Sequence, residues 1–303
     1  DKPNRHAAYR FLNDRMEKLD SELIGIINKG LFSTHELKKG VPQRKDREKA
    51  QKKARGIIDQ EGKNLMKNLG FSIEELSRST YVLKDNNRKT AVAVFLPEGT
   101  SFNSPQETFI SQSPINWALM LAENEGLPYV FANSGKTIRL YSTEPETGFG
   151  SLGRSDTYVE ANLDLLTKNS CGYLWLIFSA PALRDGGSLK EIINNSNDYA
   201  VDLGKRLKER IYDEVIPELA EGIAEARNLK KPTQQQLDET YRMALLTLFR
   251  LLFIAYGEDK KLLPYGQNEW YDKNSLKQKA HSIEKMLKKG NNFDSSSTSH
   301  WED

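Results

Sequence analysis

The hydrophobic and polar positions of the chain fall into three textures. Residues 245–264, LLTLFRLLFIAYGEDKKLLP, form the most apolar run in an otherwise polar sequence. Its uninterrupted part, LLTLFRLLFIAY, would rise only about 18 Å as a helix, where a bilayer's hydrocarbon core is about 30 Å thick. Arg250 also stands in its middle. The run therefore does not span a membrane. Apolar groups lie on nearly every side of it, which predicts a helix buried between several neighbours and not one with a single apolar stripe.

Ahead of this run, residues 1–69 read as mainly helical, with Tyr9, Leu12, Met16 and Leu19 at helical spacing and a break at GVPQ (40–43). A charged helix is expected over 44–55, continuing through IIDQEGKNLMKNLG to a stop at Gly70. Short β-rich runs then take over. STYVLK (79–84) and TAVAVFL (90–96) flank DNNR, whose Asp85, Asn86 and Asn87 suit a tight antiparallel hairpin. SPINWALMLAENEG (113–126) reads as a helix with Ser113 as N-cap, Pro114 at its first position and Gly126 at its end. PYVFA (128–132) and TIRLYS (137–142) are two more strands. Beyond the Gly/Ser-rich stretch 148–156, LWLIF (174–178) is a further short strand or buried segment. From 188 onward helices dominate. Tyr199, Leu203, Leu207 and Ile211 make one apolar stripe, Pro217 should kink or divide its helix, KKPTQQQ (230–236) is a linker, and a last helix is expected near 275–289 before a polar tail. The pattern predicts a helical segment over 1–60, an α/β domain over 61–145 and a mainly helical region over 146–303.

At 303 residues the chain has room for two domains. Its 44 Lys+Arg against 42 Asp+Glu leave a net charge of +2, so any basic surface must be local. The single Cys171 cannot form an internal disulfide, and the first residues lack the apolar core of a secretion signal, so a reducing cytoplasm is expected. The charged helix places Lys45, Lys49, Lys52 and Lys53 on one broad face, a phosphate-contacting stripe diluted by Asp46 and Glu48. SGKT (134–137) lacks the glycine and following helix that a phosphate loop needs, and the four histidines are scattered without a second cysteine. Tyr256, Glu258 and Asp259 could be taken for a catalytic cluster. A packed ring is the more economical reading, with acids that pair with Arg250, Lys260 or Lys261 and a chain turn at Gly257.

RLLFIAYGEDKKLLP (250–264), followed by SL at 275–276, resembles the RLLF-x-x-Y-x-E-D-x-x-LLP signature of Type IIG restriction-modification enzymes and of phage-defence adenine methyltransferases of the BREX and DISARM systems. ANSGKTIRLYS (132–142) is similar to the TNG-x-x-x-RLYS strand pair that closes their N-terminal domain. The resemblance implies an α/β nuclease-like domain of the PD-(D/E)xK type followed by an α-helical connector. A methyltransferase and a target-recognition domain would then be partners of this segment in the full-length protein, with double-stranded DNA as ligand. The methyltransferase's N-P-P-[YF] is not among these residues. S-adenosylmethionine would thus belong to the parent, a site-specific DNA adenine methyltransferase, with no cofactor in this segment.

Nuclease chemistry in that family needs an acid on one strand and an E-x-K on the next, because carboxylates hold Mg²⁺ while the lysine activates water. The resemblance aligns these with Ser79-Thr80-Tyr81 and Phe95-Leu96-Pro97, where neither acid nor lysine stands. Asp85 and Glu98 are the nearby carboxylates. The expectation is a degenerate nuclease-like domain that positions DNA through Arg88, Lys89, Lys136 and Arg139 as phosphate contacts, with no metal and no catalytic residue of its own. The alternatives are a Mg²⁺-dependent endonuclease using Asp85 and Glu98, and a non-enzymatic scaffold whose helical half docks a partner.

Overall fold

The computed structural model describes residues 23–288, apart from 78, 145, 146, 150–152 and 261. The expected helix through Tyr9, Leu12, Met16 and Leu19, the polar tail and Lys261 lie outside the described residues. The chain forms two compact units, Asp1–Leu203 and Gly204–Asp303.

The first unit is built on a mixed seven-stranded sheet of order β1-β7-β6-β5-β4-β3-β2. The strands are β1 (Ile26–Lys29), β2 (Ser72–Ser77), β3 (Thr80–Asp85), β4 (Arg88–Leu96), β5 (Tyr129–Ser134), β6 (Thr137–Ser142) and β7 (Tyr158–Asn162). Every pairing is antiparallel except β4 with β5. That parallel pair sits at the centre and carries near-continuous apolar runs, as strands covered on both faces must. Val92, Val94, Val130 and Ala132 point to one face, where α3 (Pro114–Asn124) packs with Phe102 and Phe109. Ala91, Ala93, Tyr129 and Phe131 point to the other. There lie α1 (Arg47–Arg55), α2 (Gly62–Asn68), α4 (Gly172–Phe178) and the start of α5 (Ser188–Arg210). The result is an α/β sandwich with one core on each side of the sheet.

Local chemistry sets several of these elements. Asn86 and Asn87 turn the β3–β4 hairpin at φ 45° and 68°, a region that asparagine tolerates better than most residues. Ser113 Oγ accepts the Asn116 N–H at 3.2 Å, and Pro114 opens α3. Gly126 and Gly70, each with positive φ, follow the ends of α3 and α2.

Other expectations are corrected. Residues 1–60 are not wholly helical, because Ile26–Lys29 pairs with β7 as an edge strand. The charged helix does not run through to Gly70. Glu61 is extended and Gly62 has φ 54°, and the Gly62 N–H is taken by Asn133 Oδ1 at 3.1 Å, so a new helix starts there. LWLIF is the buried segment and not the strand of its two readings: it is helical, lies within α4 and packs against α1. A wholly apolar run carries no period to tell strand from helix. The sheet thus draws β1 and β7 from outside residues 61–145, and the first unit reaches Leu203.

The second unit holds α6 (Ile216–Ala226), α7 (Gln234–Asp259), α8 (Glu269–Asn274) and α9 (Leu276–Lys288). A π-helical stretch, Ile211–Val215, carries the helical backbone from α5 into α6, and Pro217, which has no N–H to donate, stands just after it. Thr233 and Gln236 form a capping box that starts α7. The stripe expected on Tyr199, Leu203, Leu207 and Ile211 is not buried as one. Tyr199 stacks on His35 with centroids 4.0 Å apart, whereas Leu203 and Leu207 are exposed.

The apolar run of 245–256 is helical, yet it is not the all-round core helix its composition predicts. Thr240, Ala244, Leu248, Gly257 and Glu258 are buried, while Phe249 and Phe253 are 63% and 73% exposed. Within the unit α7 finds its neighbours in α6 and α9. One arc is therefore covered and the other is open.

The GEDKKLLP segment that follows is a joint between helices. A Cβ on Gly257 would come within 3.0 Å of the Leu263 side chain. The Glu258 carboxylate, 1% exposed, accepts the N–H groups of Leu276 at 2.7 Å and Lys277 at 3.1 Å, and the Tyr271 hydroxyl at 3.3 Å. A buried anion thus sits on the orphan donors at the start of α9, where the helix dipole favours it. Asp259 pairs with Lys277 at 2.5 Å, not with the cations of its own helix. Among the described residues no helix is long and apolar enough to cross a membrane.

Candidate nucleic-acid interface

Three places in the first unit gather the residues singled out by the sequence. At the hairpin end of β3 and β4, Asp85 accepts two bonds from Arg184, at 2.5 and 2.9 Å. The Arg184 guanidinium holds the Asp85 carboxyl below its ordinary range. Arg88 pairs with Asp185 at 3.0 Å and Lys89 with Glu125 at 2.6 Å. Glu125 raises the pKa of the Lys89 ammonium. With Lys190 and Glu144, the Asp85, Arg88, Lys89, Arg184 and Asp185 side chains border an open cleft of about 570 Å³ in which three acids face four cations.

At the opposite end of the sheet, beyond the carboxyl ends of β4 and β5, a polar cleft of about 510 Å³ opens. This is the side on which open α/β sheets place ligands. Lys136 reaches the Asp59 carbonyl at 2.7 Å and Glu61 at 3.5 Å, so it clamps the break between α1 and α2. Arg139 bonds Glu160 at 2.6 Å across β6 and β7 and lies between the rings of Phe102 and Tyr158, 4.5 and 4.2 Å from their centroids. Burial works against its charge, but the bonds to Tyr141 and Glu160 outweigh that and raise its pKa. Gly135 turns between β5 and β6 at φ 54°, and any Cβ there would press within 2.9 Å of the Glu98 side chain that lines the cleft.

The third place is α1. Ala50 and Ala54 are buried against α4, which leaves Lys49, Lys52 and Lys53 on the outer face and Lys45 in the turn leading in. Lys45, Lys49 and Lys52 have no ion-pair partner among the described residues, and the Lys53 ammonium lies 5.1 Å from the Trp175 ring centroid. Glu48 stays exposed on α1, as expected, but Asp46 is drawn off this face. It takes both Arg44 bonds, at 2.8 and 2.9 Å, and Arg44 in turn reaches Glu191 at 2.9 Å. Arg55 and Lys168 extend the cationic surface around a shallow depression beside Cys171.

The eight expected phosphate contacts therefore divide in two. Arg88, Lys89, Lys136 and Arg139 are already paired with Asp185, Glu125, Glu61 and Glu160 and do not form one surface, since the first two lie at one end of the sheet and the last two at the other. Lys45, Lys49, Lys52 and Lys53 do share a face.

The endonuclease pair is also corrected. Asp85 is at the hairpin and Glu98 lies past the far end of β4, so at 3.3 Å per residue some 30 Å of strand separates them. One metal ion cannot be held by both. Where the resemblance sets the acid and E-x-K, the register does bring the strand ends together, with Thr80 opposite Val94 and Phe95 next along the strand. The side chains there are Thr80, fully buried, and Phe95, Leu96 and Pro97. These do not fit a Mg²⁺ ion, and among the described residues no three His, Cys, Asp or Glu side chains are placed to hold one.

The partners Arg184, Asp185, Glu125 and Trp175 escaped the sequence reading. Glu160 was within its reach, because TYVEAN alternates as a strand does and sets Glu160 opposite Arg139. No family model matches the chain. No curated protein and no solved structure matches it either.

Proposed function

We propose that this chain is a non-catalytic, DNA-binding part of a restriction-modification or phage-defence methyltransferase, an α/β nuclease-like domain followed by a helical connector. The outer face of α1 rests on duplex phosphates. The observation that carries this reading is the group of partner-free lysines on that face, where Arg88, Lys89 and Arg139 of the sheet are paired with carboxylates. Lysines without a protein counter-charge release condensed counterions when they meet a phosphate backbone, which makes binding sequence-tolerant and salt-dependent. Trp175 beside Lys53 adds an aromatic plane to the same surface. The GEDKKLLP joint supports the connector role, because its acids hold α9 and are committed to that task. A methyltransferase with S-adenosylmethionine, and a target-recognition domain, would act beside this segment.

Binding to a 20–30-base-pair duplex, followed by fluorescence anisotropy across salt, tests the reading. Four phosphate contacts give a slope of log K against log salt of about −3.6, or roughly a 100-fold loss between 50 and 200 mM salt. Lys49→Gln with Lys52→Gln should flatten that slope by about 1.8. Salt-independent binding, or an unchanged slope in the double variant, would overturn it. Arg88→Gln should leave the slope as it is. An interaction scaffold is the second reading, favoured by the open apolar arc of α7.

A further inference from the structure

The geometry points to a function for that arc: α7 pairs antiparallel with α7 of a second copy of this chain, about a two-fold axis beside Phe249. At about 100° per residue, Leu246, Phe249, Leu252, Phe253 and Tyr256 share an arc of roughly 120°. All five are exposed, by between 43% and 73%. The opposite arc carries Ala244 and Leu248 and is buried. A run of large apolar side chains left open over three turns is the kind of patch that marks an association surface.

The charges on the arc select the occupant. Asp238 and Lys260 lie equally far on either side of Phe249, and so do Arg242 and Tyr256. A two-fold axis at Phe249 that reverses the helix direction therefore sets Asp238 against the partner's Lys260, and Arg242 against the ring of the partner's Tyr256. The same operation brings Leu246 to the partner's Leu252 and Phe253 to the partner's Leu245. Arg242 is exposed and has no ion-pair partner among the described residues, so the partner ring gives it a counterpart. Glu239 and Asp259 would approach each other's copies, but each is already neutralised within its own chain, by Arg227 at 2.8 Å and Lys277 at 2.5 Å. A parallel pairing would instead oppose Asp238 to Asp238 and Arg242 to Arg242. The arc is complementary to itself only when read backwards, a property that an unrelated partner would not require.

Sedimentation velocity on the full chain, from about 1 µM to on the order of 100 µM, spans the affinities expected for a modest interface. The expected result is a reversible monomer–dimer equilibrium. Phe249→Glu should weaken it roughly 100-fold, as loss of a central aromatic anchor does. Met243→Glu alters an exposed apolar residue of the same helix outside the arc and should leave the constant unchanged. Asp238→Lys should weaken association a few-fold, as an exposed ion pair would, and Asp238→Lys combined with Lys260→Asp should restore it. Circular dichroism confirms that each variant is folded. A monomer throughout the range, equal effects at Phe249 and Met243, or no rescue in the double charge swap would overturn the proposal.

Discussion

Replacing Glu258 should loosen α9 while leaving the sheet untouched. Its carboxylate is 1% exposed and accepts two backbone N–H groups and one hydroxyl. Bonds to a charged acceptor are worth about 1.5–3 kcal/mol each, and a helix cap about 1 kcal/mol; the terms overlap and do not simply add. Glu258→Ala therefore costs about 3–4 kcal/mol, part of it the desolvated N–H groups left without an acceptor. Glu258→Gln keeps the shape and one acceptor oxygen but turns an amide donor towards a backbone donor, at about 1–2 kcal/mol. Ser275 Oγ still accepts the Gln278 N–H at 3.2 Å, so α9 is loosened and not abolished. Hydrogen exchange by mass spectrometry reads this directly. At 1.4 kcal/mol per factor of ten, peptides covering 276–288 should exchange roughly 100- to 1000-fold faster in Glu258→Ala. Peptides from β4 and β5 should be unchanged. Exchange over 276–288 that stays within a factor of three of the parent would refute the assignment of Glu258 as the cap, and equal acceleration in the sheet would refute its local action.

Two further outcomes follow from the first unit. Asn133, 2% exposed, joins the Gly62 N–H to the carbonyls of Gly135 and Thr137, so Asn133→Ala should destabilise by about 2–3 kcal/mol in urea unfolding, more than Asn68→Ala on the exposed face of α2. Asp85 has its folded pKa depressed by Arg184, so its contribution is complete above the unfolded value of about 3.9 and is lost as pH falls through the lower folded value. Urea midpoints between pH 2 and 5 should therefore fall less steeply with acid in Asp85→Asn than in the parent, and parallel curves would remove Asp85 as a source of that dependence.

What the sequence disclosed and what it hid divide along physical lines. The DNNR turn and the Ser113–Pro114 start of α3 were legible because each depends on side chains acting within four residues of themselves. β1 was not, since a strand of four residues acquires meaning only when a partner 130 residues away supplies the ladder. The run at 245–256 misled for a related reason. Composition marks it as apolar all round, but burial depends on how many neighbours arrive, and α6 and α9 cover one side. The same holds for the candidate site. A lysine stripe on α1 could be read from spacing, whereas the pairing of Asp85 with Arg184, 99 positions apart, could not. Without those partners all eight cations looked equivalent.

The edge pairing of β1 with β7 also orders events in time. Residues 26–29 leave the ribosome well before residue 162, so their ladder waits for it to emerge, and the parallel β4–β5 pair must wait for α3 to cross between its strands. Such distant pairings are slow to form, because loop-closure entropy is lost before any contact repays it. Until β7 emerges, the edge of TIRLYS that β7 covers stays unpaired. Nascent chains stalled before residue 158 should thus be the most dependent on chaperones, and the most prone to aggregate.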